Sequence, residues 1–207
     1  MIKRIKIYPR GFGANSYILT ADEKTAVVID PSGRSVLTEL SDRNLVPAYV
    51  LLTHCHFDHV MYVKELTELG AQVVCLDKER QNMNTDVDLF SMAGVPRKPF
   101  TVDKTVSDGE VFTLAGVTFQ AFSLPGHTTG SAAYLVEENE EKWLFTGDVL
   151  FEDSIGRTDF PTGSISQMRE SLRRLKDFEG EYLIFSGHGE DTTLETERKR
   201  NIFLLDV

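Results

Sequence analysis

Three histidines and an aspartate fall within six residues of this chain, His54-Cys55-His56-Phe57-Asp58-His59, one residue after the apolar pair Leu51 and Leu52. At the chain's own His and Asp frequencies, the pattern H-x-H-x-D-H has a chance on the order of one in a million per window, so coincidence explains it poorly. Imidazole and carboxylate are the donors zinc takes at about 2.0 to 2.2 Å, and they also suit iron, manganese and cobalt. Side chains two apart on an extended segment point the same way, so His54 and His56 can share one ion. Asp58 and His59 lie beyond the bend and can reach a second. Cys55, between the ligands, then faces away from the metal and reads as packing.

The other two of the five histidines also follow strand-like runs, His127 in Leu124-Pro125-Gly126-His127 and His188 in Ile184-Phe185-Ser186-Gly187-His188-Gly189. Asp148 ends a further run, Phe145-Thr146-Gly147-Asp148. Glycines beside each candidate permit the tight turns that gather strand ends in one place. A single His after Gly is ordinarily a turn residue. All five histidines at strand ends are hard to explain structurally.

These segments need a scaffold of strands. The first thirty residues alternate apolar and polar positions and then run Ala26-Val27-Val28-Ile29 into Asp30-Pro31-Ser32-Gly33, which predicts three strands and a turn. A helix over Val36–Leu45, a strand over Ala48–Leu52, a helix over Met61–Leu69 and a strand over Gln72–Leu76 follow. Asp77 to Gly94 reads as largely helical, and Val95-Pro96-Arg97-Lys98-Pro99 breaks it as a surface connection. Strands are predicted over Glu110–Leu114, Val117–Leu124, Ser131–Val136 and Lys142–Thr146. A helix over Ile165–Phe178, a strand over Tyr182–Phe185 and a charged helix over Leu194–Phe203 close the chain. Two halves that each run from strands into α/β units predict an α/β protein with two mixed sheets flanked by helices, a four-layer α/β/β/α sandwich.

With 207 residues, 41% hydrophobic and 26% charged, the chain is expected to form a single domain over residues 1–207 around one sizeable core. No apolar run approaches the roughly 18 to 20 residues of a membrane span, and Met1-Ile2-Lys3-Arg4 leads into alternating residues without a signal-peptide pattern, so a cytoplasmic protein is expected. Two cysteines cannot make a disulfide framework. A formal charge of −10 repels phosphate backbones, and the basic clusters Arg173-Arg174 and Arg198-Lys199-Arg200 read as solvated helix faces. Nucleic acid and membrane are not expected partners; a small-molecule substrate is, and oligomeric state is not legible.

The histidine and aspartate segments, in this order, resemble the metallo-β-lactamase superfamily over essentially the whole chain. The resemblance implies a first metal held by His54, His56 and His127, a second by Asp58, His59 and His188, and Asp148 bridging both. The β-lactamases that gave the family its name lack an aspartate at the position of Asp148, whereas hydroxyacylglutathione hydrolases (glyoxalase II) have it, which favours thioester over antibiotic hydrolysis. Flavin-linked di-iron members place a glutamate at the second histidine and append a flavodoxin domain. The stretch Gly156-Arg157-Thr158-Asp159-Phe160 and the ending after Gly187-His188-Gly189 are most similar to short glyoxalase II-like proteins. The longer type adds a helical domain with basic glutathione contacts, which has no counterpart here.

Arg157 falls where that family sets a basic residue against glutathione, and it could pair with a substrate carboxylate or with Asp159. The expected activity is hydrolysis of a small thioester such as S-lactoylglutathione, or a related ester, by a metal-bridging hydroxide, because a metal can lower the pKa of water from 15.7 to about 7. Asp58 or Asp148 would relay protons. Two divalent ions are expected, zinc first, with iron or manganese as alternatives. Persulfide dioxygenases share His-Cys-His and Gly-Arg-Thr-Asp-Phe but bind one iron through two histidines and an aspartate; that oxygenase is the main alternative. A non-catalytic metal-binding module is the second.

Overall fold

A computed structural model describes residues 1–9, 11 and 13–207. In chain order the first half contains β1 (Lys3–Ile7), β2 (Ser16–Thr20), β3 (Thr25–Ile29), α1 (Arg34–Asp42), β4 (Val46–Leu52), α2 (Phe57–Val60), α3 (Val63–Glu68), β5 (Gln72–Leu76), α4 (Phe90–Ala93) and β6 (Lys104–Val106). The second contains β7 (Val111–Leu114), β8 (Val117–Ser123), β9 (Ala132–Glu138), β10 (Glu141–Gly147), β11 (Leu150–Phe151), β12 (Ser154–Ile155), α5 (Ile165–Lys176), β13 (Leu183–Ser186), β14 (Thr192–Thr193), α6 (Leu194–Arg200) and α7 (Ile202–Leu205). The strands form sheets of order β1-β2-β3-β4-β5-β6 and β14-β13-β10-β9-β8-β7, with β11 and β12 as a separate hairpin. Both large sheets mix parallel and antiparallel pairs.

Period-two alternation explains why the sheets stack and why helices cover their outer faces. On β3, Val27 and Ile29 enter a core shared with Phe119, Tyr134 and Phe145 of the second sheet. Their neighbours Ala26 and Val28 face outward and meet Val36 and Leu40 of α1 and Leu66 of α3. On the other side Ala133, Leu135 and Leu144 meet Met168, Leu172 and Leu175 of α5, which recur at helical spacing. The expected four-layer α/β/β/α sandwich is the observed architecture.

Departures from the sequence expectation have local causes. The stretch read as helical over Asp77–Gly94 forms two short 3₁₀ turns, Arg80–Asn82 and Asp86–Asp88, and the four-residue α4. Asn84 and Leu89 take left-handed φ values of 58° and 64°, which no helix continues through. Thr85 caps the second turn by accepting from the Val87 N–H. The closing helix divides at Asn201, whose side-chain amide donates to the carbonyls of Ser154 and Phe151 and so ties the break to the β11–β12 hairpin. Arg198 is not merely solvated: it donates to the carbonyls of Lys176, the last residue of α5, and of Phe178 and Gly180 beyond it.

The topology brings strand ends together. β3 and β4 run parallel, so Asp30 and Thr53 leave the first sheet side by side. In the second sheet β8 and β10 are each antiparallel to β9, and β10 is parallel to β13, so all three end in the same direction. Those ends carry the loops with His127, Asp148 and His188. The Ala132 N–H donates to the Thr53 carbonyl at 3.0 Å, and the Tyr134 hydroxyl to the Leu52 carbonyl at 2.9 Å, locking the two sheets together beside the site. No helix among the described residues is long and apolar enough to cross a membrane.

Candidate metal centre

All seven residues singled out as ligands meet at this end of the sandwich. His54, His56 and His127 form one group, Asp58, His59 and His188 another, and the candidate ligand atoms within each lie within 4.8 Å of one another. Asp148 stands between them. Its Oδ1 is 3.2 Å from His59 Nε2, and its Oδ2 is 3.4 Å from His127 Nε2 and 3.5 Å from His188 Nε2. His188 Nε2 is 3.2 Å from Asp58 Oδ2. The Nε2 atoms of His54, His56, His59 and His127 and Oδ1 of Asp148 are all buried without a hydrogen-bond partner, a heavy cost unless a cation receives their lone pairs. The donor set fits divalent metal.

The other ring nitrogen of His54, His59 and His127 is held by the protein, and this decides which nitrogen of each faces the site. Thr53 Oγ1 donates its only proton to Asp30 Oδ2 at 2.6 Å, so toward His54 Nδ1, 3.1 Å away, it can only accept. His54 therefore carries its proton on Nδ1 and turns the Nε2 lone pair inward. His59 Nδ1 is likewise 2.9 Å from Asp30 Oδ2, and His127 Nδ1 is 2.7 Å from the Arg157 carbonyl, both obligate acceptors. Such outer partners fix ring orientation and raise ligand basicity. Asp30 thus orients a histidine of each group from a backbone position at φ 49°.

Electrostatics differ across the site. Burial, reinforced by neighbouring imidazoles, drives His54 well below its ordinary pKa and His56 down to about 3, so both present neutral donors. Burial also opposes charge on His59, but Asp148, Asp30 and Asp58 outweigh it and hold that histidine protonated well above its usual range. His188 is raised too, against burial, by Asp58 and Asp148. The carboxylates that hold protons there also stabilise a metal cation, so proton and metal compete for the same lone pairs.

The close approach of strand ends requires glycine. A Cβ on Gly187 would collide with Asp148 Oδ1 and come within 2.6 Å of His59 Cε1. The His188 turn is further pinned by Asn15, whose backbone N–H donates to the Gly187 carbonyl at 2.7 Å and whose side chain donates to the carbonyls of Ser186 and Gly189 at 3.0 Å.

One positioning group has no signal in the ligand motifs. The buried carboxylate of Glu79 accepts from the backbone N–H of Cys55 at 2.9 Å, between His54 and His56, and from the Thr128 hydroxyl at 3.0 Å, beside His127. It also accepts from the Asn82 amide at 2.8 Å. Glu79 clamps together the two segments that carry the first histidine group. In Glu79→Gln an NH₂ must face one of these donors, and the hold of that group on metal is expected to weaken about tenfold, read by chelator competition. Unchanged affinity would reduce Glu79 to packing. Cys55 itself is buried and lies in the outer core of the first sheet, as its spacing predicts.

A cavity of about 720 Å³ opens over the ligands, lined by His56, Asp58, His127, Asp148 and His188 at its base and by Arg157 at its side. The Arg157 guanidinium is engaged by Asp159, with Nε and Nη2 each 2.6 Å from a carboxylate oxygen.

A four-layer sandwich with metal donors gathered at the strand ends defines a class of metalloproteins, and residues 9–188 match the metallo-beta-lactamase superfamily: the chain belongs to it. It is similar to the hydroxyacylglutathione hydrolase GloC of Haemophilus influenzae, 34% identical over 208 residues and covering 97% of each chain. Among solved structures, the BLEG-1 B3 metallo-beta-lactamase superposes with a TM-score of 0.87 at 33% identity over 99% of both chains. TTHA1623 in a di-iron-bound form gives a TM-score of 0.81 at 32% identity, covering 95% of this chain and 100% of that one.

Proposed function

We propose that the chain is a binuclear metal-dependent hydrolase of small thioesters. The observation that carries this reading is the arrangement of all five histidines with Asp58 and Asp148 as two ligand groups sharing one carboxylate. A closed structural zinc site needs four protein ligands; three terminal ligands plus a shared carboxylate leave open positions for water and substrate, which argues against a non-catalytic module. Similarity to a hydroxyacylglutathione hydrolase supports thioester chemistry. The di-iron form of TTHA1623 sets iron beside zinc as a candidate metal.

When bound, two divalent ions supply an acidified water and a Lewis acid for a carbonyl. The chain's residues do the rest. Asp30, Thr53 and the Arg157 carbonyl hold three imidazoles in the tautomer that faces the site. Asp148 sets the separation of the two groups. Asp58 lines the cavity beside His188 and is placed to take and pass a proton. In the overall reaction the water oxygen bonds to the acyl carbon, the C–S bond breaks, and the thiolate takes a proton. No Ser or Cys nucleophile is required, and both cysteines are buried.

β-Lactam hydrolysis is the second reading, favoured by the likeness to BLEG-1 despite the aspartate at position 148. Thiol release from short-chain thioesters under nitrogen, with no oxygen uptake in air and no opening of a chromogenic cephalosporin, is the expected result. Oxygen-dependent turnover of a persulfide would replace the hydrolase by the oxygenase.

A further inference from the structure

The walls of the cavity differ from its base. Leu89, Met92 and Val95, on and around α4, form one stretch of wall, and Phe151, Ile155 and Phe160, on and after the β11–β12 hairpin, form another. Two features of the first stretch lack a structural reason. Met92 is 65% exposed although it lines the cavity, which leaves a flexible apolar side chain largely in solvent at the rim. Leu89 keeps a branched side chain at φ 64°, where Gly or Asn fits without strain, and buries that side chain against the cavity.

Charge is missing where an anionic substrate would need it. Arg157 is the one Lys or Arg among the described residues lining the cavity. Its guanidinium is bonded twice by Asp159 and lies 3.9 Å over the Phe160 ring. An incoming carboxylate must replace Asp159, exchanging one carboxylate for another, and an exposed pair of this kind contributes little net attraction in either form. The formal charge of −10 adds long-range repulsion of anions. Glutathione conjugates carry two carboxylates, which would have to be desolvated against these walls.

We propose that the site takes thioesters of uncharged, apolar acyl chains on a neutral thiol, the chain lying against Leu89 and Met92 of one stretch and Phe151 and Ile155 of the other, in preference to glutathione conjugates. This rests on the hydrolase reading above and narrows its substrate class. Apolar contact would supply the binding and set the thioester carbonyl over the ligand cluster at the base.

The test compares octanoyl-N-acetylcysteamine with S-lactoylglutathione on the metal-loaded protein. The neutral thioester is expected to give a kcat/KM at least tenfold higher. Met92→Glu, at an exposed position, should raise KM for the octanoyl substrate at least fivefold and leave kcat within twofold. Asp159→Asn releases Arg157 and should lower KM for S-lactoylglutathione. Equal or better turnover of S-lactoylglutathione by the wild-type protein, or an octanoyl KM indifferent to Met92→Glu, would overturn the inference and leave the hydrolase reading standing. Failure of both thioesters to release thiol from protein carrying two ions per chain would overturn both readings.

Discussion

His56→Ala should leave a folded protein that binds one ion per chain and has lost thioester turnover by on the order of 10³-fold or more. The size of the effect follows from geometry. His56 Nε2 is buried without a partner and belongs to a group that has only His54 and His127 besides, plus the shared Asp148. Two neutral imidazoles and half a carboxylate hold a divalent ion poorly, and a Lewis acid is worth several kcal/mol at a developing oxyanion. His56 sits at the start of α2, outside the apolar clusters, so its removal costs the fold little. Metal analysis beside a circular dichroism spectrum separates loss of the ion from loss of the fold. Full metal content with retained activity would contradict the assignment of His56.

Gly187→Ala should be nearly as damaging, by sterics alone. Gly187 lies outside the left-handed region, so alanine can adopt its backbone angles. Its surroundings cannot yield: its N–H donates to the Gly147 carbonyl at 2.8 Å and its carbonyl accepts from Asn15 at 2.7 Å. The new methyl must displace Asp148 or His59, a residue between the groups or one within the second. Overpacking of this kind costs about 1–3 kcal/mol in stability, and turnover is expected to fall about 100-fold as ligand geometry is lost. Gly189→Ala is the control. Its φ of 78° makes alanine strained there, but no atom lies within 4 Å of the added Cβ, so it should lose about 1 kcal/mol of stability and keep its metal. Equal metal loss in both variants would mean that the turn, and not the contact with Asp148, sets the effect.

Both predictions begin from residues visible in the sequence. Ligand segments are legible because imidazoles are rare and sit in short local patterns, and because apolar runs before them announce the strands that deliver them. The layers are legible for a similar reason: near-continuous apolar runs along β3, β4 and β10 record strands buried on both faces. What holds the ligands is not legible. Asp30 reaches His59 across 29 positions, and Glu79 reaches Thr128 across 49, so neither leaves a local pattern. Asp30 reads as one residue of a turn, and Glu79 falls in a stretch that reads as helix. The paired strands β11, β12 and β14 have two residues each, too few for a period to show. The engagement of Arg157 by Asp159 was one of two readings open at the sequence level, and only side-chain positions show it.

The number of metal ions per chain tests the binuclear reading most directly, because His188 and the pair Asp58 and His59 form a ligand group of their own only if a second ion is held. Metal analysis of the native protein is expected to give about two ions per chain, and His188→Ala about one, with thioester hydrolysis strongly impaired in the variant. A native protein that holds a single iron, keeps that ratio in His188→Ala, and consumes oxygen with a persulfide would contradict the binuclear hydrolase.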